Sequence, residues 1–110
     1  MKLLNAFSLS MLPEFRGRVT VVRLTLEDVK LDFDEEPIES FVGHADTAAL
    51  FSALIGKEVA CRRESVTLQP GEQVWVGQYT GPRLPEGSKT LPEGASVEWL
   101  FVTVDRVNES

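Results

Sequence analysis

A chain of 110 residues, 43% apolar and 25% charged, has the make-up of one globular domain that buries roughly two thirds of its unfolded surface without staples. Its formal charge of −6 argues against coating long DNA or RNA, which leans on Lys and Arg neutralising many phosphates, yet leaves room for a small anion in a local cationic pocket. The lone cysteine, Cys61, excludes an internal disulfide, no His/Cys cluster offers a metal cage, and no run nears the ~20 apolar residues of a membrane span.

The expectation is therefore a single domain over residues 1–110, in a reducing cytoplasm and away from membranes. The apolar run at Met1–Asn5 is too short for a signal peptide. Lys2–Phe7 reads as a short buried first strand. Ser8 or Ser10 then caps one helical turn, which Pro13 and Gly17 break. Arg18–Leu26 alternates as a strand does, with Val19 and Val21 on one side and Thr20, Val22, Leu24 and Leu26 on the other. The acidic stretch Glu27–Glu39 is most simply a solvated turn at Asp34-Glu35-Glu36-Pro37, with strands at Val29–Phe33 and Ile38–Val42 flanking it.

Asp46 or Thr47 caps a helix over Ala48–Ile55, whose Leu50, Phe51 and Leu54 form an apolar face and whose stop is Gly56. Val59 and Cys61 give a short extended piece. Ser65–Leu68 and Gln73–Thr80 read as strands joined by a turn at Pro70-Gly71. Gly81–Gly94, rich in Gly and Pro, is an exposed loop, and Val97–Val107 is the longest strand. Strands dominate and one helix is clear, so the class is α+β with a mixed sheet.

His44, the only histidine, stands directly ahead of the helix pattern. Imidazole is the side chain whose unperturbed pKa lies nearest neutrality, and a helix start presents free N–H groups and the positive end of the dipole. A proton donor beside an anion seat suits phosphodiester chemistry. Arg62, Arg63 and Arg83 are the candidate cations, and Glu86 is a carboxylate in the loop of Arg83. Ends of strands and starts of helices in such folds gather on one rim, where ligands bind. Metal-free RNA cleavage needs an acid for the departing 5′-oxygen and a cation for the charged transition state. Each place also has a plain structural reading: His44 ties a turn, Arg83 and Glu86 form a surface ion pair, Arg62-Arg63 is a solvated edge, and Asn5 and Ser8 are caps.

The opening Leu4-Asn5-Ala6-Phe7-Ser8-Leu9-Ser10-Met11-Leu12 resembles the Asn-Ala-Phe-Ser-x-x-Met-Leu start of the type III anti-CRISPR ring nucleases, small proteins of archaeal viruses, phages and some bacteria. Gly43-His44-Ala45-Asp46-Thr47 is similar to that family's Gly-His-Asp-Ser-Thr helix start. Gly56–Val66, with Arg63, resembles its Gly…Asn-Arg-Val segment, and Gln78 with Arg83-Leu84-Pro85-Glu86-Gly87 resembles its Gln…Arg-Leu-Glu-Glu-Gly loop.

The resemblance implies a homodimer, each chain carrying a mixed five-stranded sheet flanked by one main helix and short helical turns. It implies a pocket across the dimer for cyclic tetra-adenylate, the messenger of type III CRISPR systems. That ring is cut without metal or cofactor to linear di-adenylates ending in 2′,3′-cyclic phosphate. By motif position His44 is then the general acid, Arg83 stabilises the phosphorane and Glu86 orients or assists the 2′-hydroxyl. Asn5, Ser8, Arg63 and Gln78 hold the ligand. The alternative is a module that binds cyclic oligoadenylate without cutting it.

Three departures from the family pattern are visible. The Gln78–Arg83 stretch is one residue longer, through Gly81-Pro82. Pro85 replaces an acidic residue and removes an N–H. Ser88–Ala95, with Pro92 and Gly94, is too short and broken for the helix that viral relatives carry there.

Overall fold

The computed structural model describes residues 1–12 and 17–106. Alternating apolar residues build five strands: β1 (Lys2–Leu4), β2 (Gly17–Leu24), β3 (Glu39–Phe41), β4 (Gln73–Thr80) and β5 (Ser96–Arg106). They form one mixed sheet in the order β2-β5-β4-β1-β3. β1 lies parallel to both β3 and β4, while β5 pairs antiparallel with β4 and β2. The α+β class read from the sequence is the class observed.

Two helices cover one face of the sheet, where the sequence pattern showed one. Val29–Phe33, expected as a strand, lies inside α1 (Leu26–Asp34). Thr25 is the reason: its hydroxyl accepts from the Asp28 N–H, and the Asp28 carboxylate accepts from the Thr25 N–H, closing a capping box. Val29 and Phe33, four positions apart, then turn onto the sheet, where Phe33 meets Trp75 at 5.4 Å between ring centroids. The Trp75 indole also donates to the Asp32 carboxylate at 3.0 Å. Lys57 closes the far end of α1 by donating to the carbonyls of Phe33 and Glu36.

The second helix, α2, spans Ala45–Ile55, three residues earlier than the expected start at Ala48. His44 occupies its N-cap, in extended conformation and without a side-chain cap bond, so neither Asp46 nor Thr47 plays the cap role expected of them. Gly56 ends it in the left-handed conformation, as expected, and its N–H returns to the Ser52 carbonyl. Phe51 packs on Trp99 at 4.9 Å, and together with Leu3, Val42, Ala48, Ile55 and Trp75 it builds the core beneath the helices.

The opposite face buries Leu4, Val74, Val76, Val102 and Val104 under irregular chain rather than under a helix. The turn at Leu9–Met11, where the Ser8 hydroxyl accepts from the Ser10 N–H, supplies Met11. Phe7 and Leu12 beside that turn, and the segment through Val66 and Leu68, add to the cover. Ser65–Leu68 is therefore not a strand: Leu68 is fully buried, but its N–H goes to the Met11 carbonyl rather than to a ladder. β1 stops at Leu4 rather than Phe7. The expected break at Pro13 and the Val107 end of the last strand lie outside the described residues. No helix among the described residues is long and apolar enough to cross a membrane.

Candidate functional site

The parallel strands β1, β3 and β4 end on the same edge of the sheet, and α2 begins there. In open sheets ligands settle in the crevice beyond the carboxyl ends of parallel strands, where neighbouring connections leave in opposite directions. Here β1 leads away toward β2 at one edge, while β3 at the other edge leads through α2 to β4.

His44 arrives at this edge on the turn from β3 into α2. The turn is clasped on both sides through Gly43: its N–H donates to the Asn5 side-chain oxygen at 3.4 Å, and its carbonyl accepts from Arg63 Nε at 3.2 Å. Val42 bridges in parallel to Cys61, so the piece expected as extended at Val59–Cys61 runs beside the turn and delivers Arg63. His44 itself is exposed.

A hollow of about 360 Å³ opens between this turn and the end of β4, lined by His44, Asp46, Thr47, Tyr79, Pro82 and Arg83, among others. A second, of about 540 Å³, adjoins it and is lined by Ala45, Asp46, Arg83, Leu84, Pro85 and Glu86. Asp46, Arg83 and Leu84 belong to both, so the two hollows adjoin and form one cleft. Arg83 stands at the junction, with His44 in the first hollow and Glu86 in the second. Leu84 is buried and anchors the loop that carries Arg83.

His44 and the Arg83–Glu86 loop, far apart in the chain, thus meet at these adjoining hollows: His44 and Arg83 line the first, Arg83 and Glu86 the second. Asn5 and Arg63 line neither; they hold the backbone that presents His44. The Ser8 hydroxyl is bonded to Ser10 in the turn after β1. Gln78 is exposed on β4, opposite Glu98 on β5. Asp46 and Thr47, which the sequence offers as caps within the Gly43–Thr47 motif, line the first hollow instead; their place in the first turn after His44 is the available signal. Tyr79 lines it with no motif to mark it, although an aromatic at a strand end ahead of Gly81-Pro82 is well placed to pack against that turn.

A further hollow of about 400 Å³ lies beside β3 and is lined by Glu39, Ser40, Glu58 and Arg62, among others. Arg62 there is engaged with Glu64 at 2.7 Å and Glu39 at 3.8 Å and stacks over Phe41, so it is not a free anion seat. Among the described residues no group of three or more His, Cys, Asp or Glu side chains is arranged to hold a metal ion.

Chemically, the cleft offers an imidazole, a guanidinium, carboxylates and the N-terminal turn of a helix whose first N–H groups have no side-chain cap. That set can seat an anion and move a proton next to it.

The family model described as STIV B116-like matches residues 1–95. Among solved structures, B116 of Sulfolobus turreted icosahedral virus is similar in fold, with a TM-score of 0.75 over 93% of this chain and 97% of that chain at 24% identity. No curated protein matches the chain.

Proposed function

The chain belongs to the STIV B116-like family, and we propose that it is a ring nuclease that cuts cyclic tetra-adenylate without a metal ion. The observation that carries this reading is the shared cleft: His44 and Arg83 line one hollow at the open N-terminal turn of α2. The resemblance of its motifs to the ring nucleases supplies the substrate.

In this reaction a ribose 2′-oxygen attacks the adjacent phosphorus and forms the cyclic phosphate. The bond from phosphorus to the 5′-oxygen breaks, and His44 protonates that oxygen as it leaves. Arg83 and the α2 N–H groups hold the non-bridging oxygens as charge builds on them. The proton of the 2′-hydroxyl passes toward Glu86 or solvent. No water is consumed, and two such cuts divide the ring into linear di-adenylates with 2′,3′-cyclic phosphate ends. The protein acts in the cytoplasm and switches off type III CRISPR signalling by destroying its messenger. Two copies of the chain place two His44 residues around one ring, matching its symmetry; sedimentation as a monomer in the presence of ligand rejects that arrangement.

The test is to incubate the purified protein with cyclic tetra-adenylate in EDTA and identify products by mass. Di-adenylate with a cyclic phosphate end is expected. An intact ring after hours at high enzyme concentration overturns the assignment. A second reading, a module that binds cyclic oligoadenylate without cutting, is favoured by the position of Glu86, which lines only the second hollow and not the one with His44. Tight binding by calorimetry with the ligand recovered whole selects it.

A further inference from the structure

We infer that Tyr79 is a positioning residue for this reaction, fixing Arg83 in the cleft by holding the carbonyl of Pro82; the inference rests on the proposed nuclease reading. Tyr79 is half-buried near the end of β4 and lines the same hollow as His44 and Arg83. Its hydroxyl donates to the Pro82 carbonyl at 2.5 Å, the residue immediately before Arg83. Pro82 has no N–H, so this carbonyl is its one polar backbone group.

The turn beneath the hydroxyl is tightly packed. Gly81 adopts φ of 155°, and a Cβ there would stand 2.6 Å from the Ala95 Cβ and 2.9 Å from the Tyr79 hydroxyl. On the other side of Arg83, Leu84 is buried at 8% exposure. The arginine backbone is thereby pinned from both sides, by a hydrogen bond before it and by an apolar anchor after it. The Tyr79 bond restrains the loop where it matters, because misplacing a catalytic group by ~1 Å costs on the order of 10²-fold in rate.

The test compares single-turnover cleavage of cyclic tetra-adenylate by wild type, Tyr79→Phe, Arg83→Ala and the double variant. Tyr79→Phe keeps the ring and removes only the donor. The expected result is a fall of about tenfold to a hundredfold in cleavage rate with ligand affinity changed less than twofold. In the Arg83→Ala background the same change costs nothing further, since its effect passes through the arginine. Amide hydrogen exchange adds a readout independent of activity: Leu84 exchanges faster in Tyr79→Phe.

Three results overturn the inference: an unchanged rate in Tyr79→Phe, a penalty that multiplies with that of Arg83→Ala, or unchanged exchange at Leu84. An inactive wild type defeats the nuclease reading itself, and a cutting wild type with an indifferent Tyr79→Phe defeats only the positioning role.

Discussion

Arg63 Nε donates to the Gly43 carbonyl at 3.2 Å, one residue before His44. The arginine that the motif resemblance assigns to the ligand is therefore engaged with the backbone that carries the imidazole. With Asn5 on the Gly43 N–H, it sets the direction from which His44 enters the cleft. Arg63→Ala is expected to lower the cleavage rate about tenfold, a loss of one charge-assisted hydrogen bond of roughly 1.5 kcal/mol or slightly less, while the fold persists because Arg63 is exposed. Steady-state kinetics checks this. Affinity that collapses while the rate at saturation holds makes Arg63 a ligand contact instead.

His44→Ala separates binding from cleavage. The imidazole is exposed and makes no cap bond, so its removal leaves α2 and the core intact. On the proposed reading, loss of a positioned acid typically costs ~10²–10⁴-fold in rate, whereas Arg83 and the helix N–H groups remain as the proposed phosphate contacts. Cleavage is expected to fall by that range with binding within a few-fold of wild type. Equal rates for the two proteins take His44 out of the mechanism.

Acid stability is linked to Glu72. Burial pushes its carboxyl up, but the hydrogen bond from Lys2, the Gln69 N–H and the charge of Lys2 together bring it below its ordinary value. A carboxyl whose folded pKa is depressed contributes stability above its unfolded pKa, about 4.3, and loses it as the pH falls through the folded value. The pair joins β1 to the turn before β4, Lys2 Nζ lying 2.8 Å from Glu72, so the acid-sensitive link sits on the strand that leads toward the cleft. Melting curves from pH 7 to pH 3 are expected to show a smaller acid loss in Glu72→Gln than in wild type. Parallel curves dismiss the link.

Much of this architecture was legible in the residues. The alternation of Val74 and Val76 against Trp75, and of Trp99 against Val102 and Val104 along β5, marks strands buried on both faces. Gly56 marks the end of α2. The cleft was legible in part, because His44, Arg83 and Glu86 carry recognisable motifs. What escaped depends on tertiary context. Leu68 is as buried as any strand residue, yet it lies in irregular chain, and burial alone does not distinguish the two. Asp46 sits in a motif but reads there as a cap, and Tyr79 carries no motif; both matter through what the fold sets opposite them.

The misread segment supplies the last test. Val29–Phe33 reads as a strand because the charges around it hide the helical period of Leu26, Val29 and Phe33, while Leu31 points outward at 72% exposure. What decides for the helix is local: Thr25 and Asp28 satisfy one another's backbone N–H groups at 3.1 and 2.9 Å. The Thr25 N–H, donated to the Asp28 carboxylate, also holds that carboxyl below its ordinary value. Thr25→Ala removes one half of the box and leaves the other, and losses of this kind run to about 1 kcal/mol. For a domain of this size that is a fall of roughly 4–8 °C in melting temperature. Thr25→Ser, which retains the hydroxyl, is expected to melt close to wild type. If Thr25→Ala and Thr25→Ser melt together, the cap is not what sets α1, and the packing of Phe33 on Trp75 must hold that helix by itself.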